Sequence, residues 1–204
     1  MSDIFPEVKR IIKSVISQRM SRSVSTKFAI VGYTDHGESG GLDPMNPVTI
    51  YPPSGKLNNF DQEDSVQFLN RLIASGGGPE LGEAMIDGIY NAYRLQWRPE
   101  ASKIYFIIGD DCPQGRDFHI NTKYPEGCPC GHNWRSLLKG IKSQGAIVKL
   151  VKLSEILNKT GALFKEEYGE NMEMISLDKM TDLAEAVIPS IVRIIEHNLE
   201  FAKS

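Results

Sequence analysis

The sequence predicts an α/β domain in which an open, mostly parallel sheet is covered by helices on both faces. Three observations carry that reading. Short β-rich apolar runs recur at 26–35, 103–111, 146–153 and 172–177, and segments of helical period stand between them. No hairpin signals join one of these runs to the next, so the connections cross over and neighbouring strands run parallel. Acidic and polar residues follow the strands at their C-terminal ends, the edge at which open sheets of this kind bind ligands.

Taken in order, residues 3–18 place Ile4, Val8, Ile11, Ile12, Val15 and Ile16 at helical spacing, with Ser2 or Asp3 as a cap and Pro6 tolerated in the first turn. TKFAIVGYTD at 26–35 reads as a buried strand with a polar tip. The Gly-, Pro- and Asn-rich stretch 37–59 predicts loops around one edge strand, VTIYP at 48–52. Helices follow at 61–73, behind the capping candidate Asp61, and at 81–97, separated by the breaker SGGGP at 75–79. KIYFIIGDD at 103–111 is a continuous apolar run ending in two aspartates, which predicts a central parallel strand. A Cys- and Pro-rich loop, 112–131, leads to a helix near 133–143, a strand at 146–153, a helix at 154–168, a short strand at 172–177 and a last helix from Thr181 to about Phe201. The broad apolar stripe of that last helix, Val187, Ile188, Ile191, Val192, Ile194 and Ile195, reads as core packing.

Composition narrows the function. The 204 residues, 41% hydrophobic and 24% charged, suffice for one domain with a full core, so 1–204 is read as a single domain. A net charge of −3 with scattered basic residues argues against nucleic acid as a partner. No segment approaches the ~18 to 20 uninterrupted apolar residues of a bilayer span, and MSDIFPEVKR lacks a secretory profile. Three cysteines form no disulfide framework, so the expectation is a chain without membrane contact in the reducing cytoplasm.

Two constellations carry chemistry. Asp35, the SGGGPE turn with Glu80 and Glu83, and the pair Asp110 and Asp111 fall at strand ends or helix starts that share one edge of a parallel sheet. Clustered carboxylates favour a hard cation, Mg²⁺ or Ca²⁺, although solvated caps are the plainer reading. The same edge allows metal-assisted hydrolysis as an alternative. Gly76, Gly77 and Gly78 lack the Lys-Ser/Thr of a phosphate loop and read as a turn.

The other constellation is Cys112, His119, Cys128, Cys130 and His132, gathered within 21 positions. A zinc-stabilised site built from Cys112, Cys128, Cys130 and His132 is chemically allowed, but one residue between two cysteines strains chelation of one tetrahedral ion, so zinc is disfavoured. Cys112 with His119 has no orienting third group for nucleophilic catalysis and reads as a small buried thiol.

The segments FAIVGYTDH, SGGGPELGEAMIDGIYNAY, SKIYFIIGDDCPQG and KYPEGCPCG resemble, in order and spacing, the von Willebrand factor type A (VWA) domain of the alpha-kinase-associated type. Tyr33, Thr34, Asp35 and His36 match a Tyr-x-Asp-His that ends the family's second strand. With Glu83-Ala84 and Asp87-Gly88-Ile89 setting the register, Glu80 takes the place of a turn aspartate and Gly82 that of a proline, with one residue inserted. Asp110, Asp111, Cys112, Pro113, Gln114 and Gly115 stand where the family has Asp-Ala-Pro-x-His-Gly. Phe118-His119 and Tyr124-Pro125-Glu126-Gly127-Cys128-Pro129 echo its Tyr-His and Tyr-Pro-Asp-Gly-Cys-Pro, the most type-specific part.

The resemblance spans about residues 1–177 and implies a Rossmann-like VWA fold. Family members open with a strand ending Asp-x-Ser/Thr-x-Ser-Met that supplies cation ligands, whereas here Met1-Ser2 leads directly into the first helix. The chain is therefore expected to lack that central strand, through truncation or through another way of closing the sheet. Its metal-ion-dependent adhesion site (MIDAS) is then incomplete, with Asp110, Glu80 and Asp35 left to bind Mg²⁺ or Ca²⁺ weakly. The function implied is a non-catalytic module that recognises a protein partner through loops 34–43, 75–83 and 110–132, with Tyr33, His36, Gly77, Gly78, Glu83, Asp111, Gln114 and His119 at the contact. Self-association is expected if another chain replaces the missing strand. The neighbouring kinase activity of the family does not carry over.

Overall fold

The computed structural model describes residues 5–20, 26–36, 47–73 and 82–176. The glycine turn with Gly77, Gly78 and Glu80, and the last helix expected from Thr181, lie outside the described residues.

Helix α1, Phe5–Met20, presents Val8, Ile11, Ile12, Val15 and Ile16 on one face, the spacing of an amphipathic helix. That face covers two sheets. Val8, Ile11 and Val15 pack on Val151 and Ile175 beside Phe106 and Ile108. Ile16 packs with Tyr51, Phe60 and Leu69, beside Phe28 and Ile30.

The first sheet pairs β1, Ile30–Tyr33, with β2, Val48–Tyr51, antiparallel from Ile30↔Tyr51 to Tyr33↔Val48. The second is parallel, in the order β3 (Ile104–Gly109), β4 (Ile147–Lys152), β5 (Met172–Ser176). Among the described residues no strand pairing joins the two sheets.

The strand expected at the centre, 103–111, is therefore at the margin of its sheet, and β4 is central. Its unbroken apolar run has a different cause: both faces are covered. Tyr105 and Ile107 enter the core under the helices, while Phe106 and Ile108 face α1. In β4, Val148, Leu150 and Val151 are fully buried. Two lysines share that strand by snorkelling to partners: Lys149 pairs with Glu173, and Lys152 reaches Glu155 and Asn158, each at 2.7 Å.

Helix α2, Gln62–Arg71, starts where Asp61 Oδ1 accepts a hydrogen bond from Asp64 N at 3.0 Å. Helix α3, Met85–Tyr93, is shorter than the expected 81–97. At its start Glu83 N donates to Cys112 O at 2.9 Å and Ala84 N to Thr34 O at 3.1 Å; beyond its end Gln96 N donates to Gly55 O at 2.8 Å. Tertiary backbone bonds thus claim both ends of a segment whose pattern alone favours helix. Helices α4, Trp134–Ser143, and α5, Leu157–Tyr168, complete the cover of the parallel sheet. Phe118, Trp134 and Phe164 close this core with ring contacts of 5.4 to 6.0 Å. No described helix is long and apolar enough to cross a membrane.

Candidate functional site

Three chain segments meet at the C-terminal edge of β1 and β3. The Ala84 N–Thr34 O and Glu83 N–Cys112 O bonds draw the stretch before α3 between the ends of the two strands, and Glu83 bridges Pro113 in parallel. Gly82 adopts φ +104°, and a Cβ there would lie 2.7 Å from His119 Nε2 and 3.3 Å from Gln114 Cα. Only glycine serves at such a position. Tyr33 crosses from β1 towards β3, its hydroxyl donating to Ile108 O at 3.1 Å. Its ring passes so near Gly88 and Gly109 that a Cβ at either would sit 2.8 or 2.9 Å from a tyrosine atom.

This edge is acidic. Burial, then the charges of Asp110, Asp35 and Asp111, push the Glu83 carboxyl up from 4.5 to about 8. Burial and the carboxylates of Glu83, Asp110 and Asp111 also drive the Tyr33 phenol well above its ordinary value. Glu83 Oε2, Gln114 Oε1 and both ring nitrogens of His119 are buried without a hydrogen-bond partner. Asp111 Oδ1 accepts from Cys112 N at 2.7 Å. The arrangement brings Asp35, Asp110, Asp111 and Glu83 into one electrostatic neighbourhood, with Gln114 and His119 against Gly82. Carboxylate oxygens of this density are donors for a hard divalent cation.

A second cluster draws on His36, the residue after Asp35, and on Asp87 of α3. The ligand atoms of His36, Asp87, Cys128 and Cys130 all lie within 4.8 Å of one another. Asp87 Oδ2 is 3.0 Å from His36 Nε2 and accepts from Cys128 Sγ at 2.9 Å, and Cys128 Sγ is 3.9 Å from His36 Nε2. His36 and Asp87 are 6% and 3% exposed, so a carboxylate and an imidazole are both buried here. Burial works to raise the Asp87 carboxyl, but hydrogen bonds from His36, Cys128 and Cys130 outweigh it and hold the group below its ordinary value. Burial and then Asp87 push both thiols up, Cys130 to about 11 and Cys128 further.

Asp87 was not among the candidates that the sequence supplied. Its signal is a carboxylate inside the buried run Met85, Ile86, Gly88 and Ile89 of α3, where an acidic residue needs a partner. The four-residue zinc set that the sequence allowed but disfavoured is gathered only in part. Cys128 and Cys130 meet, His132 stacks on Tyr90 with Nε2 3.7 Å from Asp87 Oδ1, and Cys112 is not in the group. Cys112 is instead buried at the acidic edge, where burial and Asp111 push its thiol up to about 12, unsuited to nucleophilic attack.

No protein-family model matches the chain, and no curated protein matches it. Solved structures do. The fold is similar to that of proximal thread matrix protein 1 from the mussel byssus, a VWA-domain protein, with a TM-score of 0.59 and 15% identity over 92% of this chain and 41% of that one. A second crystal form gives 0.54 and 16% identity over 90% of this chain and 39% of that one. A structure of the same protein with a zinc-occupied MIDAS motif gives 0.53 and 15% identity over 92% of this chain and 43% of that one. The chain spans about two fifths of the length of that protein. Parallel strands β3 to β5, the five α-helices among the described residues and this likeness together give the chain a VWA-like α/β fold.

Proposed function

We propose that this chain is a non-catalytic VWA-type interaction module, of the alpha-kinase-associated type, whose acidic strand-end edge takes a divalent cation and presents it to a carboxylate of a protein partner. The observation that carries the reading is Glu83. Its carboxyl is held near 8 by burial and by Asp110, Asp35 and Asp111, and its Oε2 is buried without a hydrogen bond. A site with excess negative charge and an unsatisfied acceptor is relieved by a cation more directly than by any neutral group.

Asp35, Glu83 and Asp110 would hold the ion, with Glu80 contributing from outside the described residues. Oxygen donors suit Mg²⁺ or Ca²⁺, and the cation supplies a positive charge that a partner's carboxylate completes. That the mussel protein, similar in fold, has a MIDAS motif occupied by zinc supports a metal in a MIDAS-like site here. The motif residues Tyr33, Asp35, His36, Asp87 and Cys128 support the alpha-kinase-associated type. Gln114, 3% exposed, and His119, whose ring nitrogens are buried, pack against Gly82 and support the loop from beneath, so the partner would meet the exposed parts of the strand-end loops instead.

Calcium and magnesium titrations of chelator-treated protein, followed by thermal unfolding, test the reading. A saturable rise in midpoint that disappears in Asp110→Ala is expected. No rise with either ion refutes the cation site, and a phosphatase or esterase activity lost in the same variant replaces the module with a metal-assisted hydrolase.

A further inference from the structure

We infer that His36, Asp87, Cys128 and Cys130 form a structural zinc site, separate from the acidic edge, that staples the loop before α4 to the end of β1 and to α3. The donor set is the first argument. One imidazole, one carboxylate and two sulfurs form a mixed N, O, S₂ set, which is soft enough to select zinc over the hard cations suited to carboxylates alone.

Geometry is the second. Zinc bonds of roughly 2.0 to 2.3 Å place tetrahedral ligand atoms about 3.3 to 3.8 Å apart. The separations of 2.9, 3.0 and 3.9 Å, within an outer limit of 4.8 Å for all four, need only small rotations of side chains to meet that figure.

The loop is shaped for it. Cys128 and Cys130 stand in a turn closed by Gly131 N donating to Cys128 O at 2.9 Å, and Gly127 and Gly131 flank the pair with φ of +105° and +77°. Two such glycines let the backbone reverse on each side of a Cys-x-Cys, which removes the strain that the spacing alone implies. Segment 119–132 contains no helix or strand and Ile120 is 85% exposed, so its order rests on turn hydrogen bonds and a few contacts: Tyr124 with His36, His132 with Tyr90 and Cys128 with the core. A loop with so little apolar burial gains most from a cross-link that limits its conformations.

Support around the ligands completes the picture. The Tyr124 ring meets His36 edge-on at 5.9 Å. His132 lies 3.7 Å from Asp87 Oδ1, within ion-pair but not hydrogen-bond distance of the carboxylate oxygen that a metal-bound Asp87 leaves free.

Zinc enters by displacing the two thiol protons to solvent, with no change of oxidation state. The test is metal analysis of the full chain purified without chelator, then exchange to Co²⁺. One zinc per chain is expected, and cobalt should give tetrahedral ligand-field bands with a thiolate charge-transfer band. Cys128→Ser and Cys130→Ser should lose both signals, whereas Cys112→Ser, Asp110→Ala and Glu83→Gln should keep them. Refolding the wild-type chain with stoichiometric Co²⁺ reads the same bands should the serine variants fail to fold. Absence of metal and of cobalt bands overturns the site, as does zinc that is lost in Asp110→Ala but retained in Cys128→Ser; the cation reading of the acidic edge stands or falls separately, on its Mg²⁺ and Ca²⁺ titrations.

Discussion

Replacing Glu83 by glutamine removes one ionisable group from the acidic edge while keeping its shape. In the folded chain this carboxyl titrates near 8 because burial and then Asp110, Asp35 and Asp111 oppose its ionisation, against 4.5 when unperturbed. A folded value raised this way favours the protonated form, so the stability it contributes is complete below pH 4.5 and is lost as pH rises through 8. At about 1.4 kcal/mol for each pH unit, the whole interval corresponds to at most about 5 kcal/mol. Glu83 keeps some contact with solvent, which screens the charge, and about 2 kcal/mol is the realistic figure. Urea unfolding of the wild-type and Glu83→Gln chains in chelator, at steps from pH 5 to 8.5, measures the difference directly. The two should be nearly equal at pH 5, and the variant should be more stable by about 2 kcal/mol at pH 8.5. A difference between them that does not change with pH, or a variant less stable at pH 8.5, refutes the crowding of carboxylates on which the cation site rests.

Gly88→Ala adds a methyl group 2.8 Å from the Tyr33 ring, which is wedged between α3 and β3, so thermal unfolding should show a loss of about 1 to 3 kcal/mol despite the better helix propensity. Gly161→Ala, also inside a helix, has the flexible end of Met174, itself 38% exposed, as its nearest neighbour; this variant should gain up to about 1 kcal/mol in the same assay. Asn133→Ala deletes the Oδ1 that accepts from Ser136 N at 2.9 Å at the start of α4, and should cost about 1 kcal/mol in urea unfolding.

Most elements were legible because their signals are local. The period-3.6 stripe of Val8, Ile11, Ile12, Val15 and Ile16 gives α1, the capping residue Asp61 gives the start of α2, and Asn133 stands where α4 begins. What escaped is pairing, which is non-local. Helices covering both faces give β3 a continuous apolar run whether strands pair with one of its edges or with both, so its place beside β4 alone among the described residues could not be read from it. The ends of α3 escaped for the related reason that Glu83, Ala84 and Gln96 bond to backbone far away in sequence.

The site was legible one residue at a time and not as a pair of centres. Asp35 and His36 are adjacent, and as members of one strand-end loop they would be assigned to one site. In space they diverge. Asp35 acts on Glu83 at the acidic edge, while His36 bonds Asp87 and approaches Cys128. The division follows from α3, whose first residues supply both centres: Glu83 just ahead of the helix and Asp87 inside its first turn, roughly one helical turn apart. The proposed hard-oxygen site and the proposed sulfur-nitrogen site thus draw on adjacent residues after β1, Asp35 and His36, and on residues about one turn apart at the start of α3. The resemblance motifs Tyr-x-Asp-His, Asp-Gly-Ile and Gly-Cys-Pro converge on the second of these centres. Their spacing therefore records a three-way contact between distant segments, a relation that no one motif expresses alone.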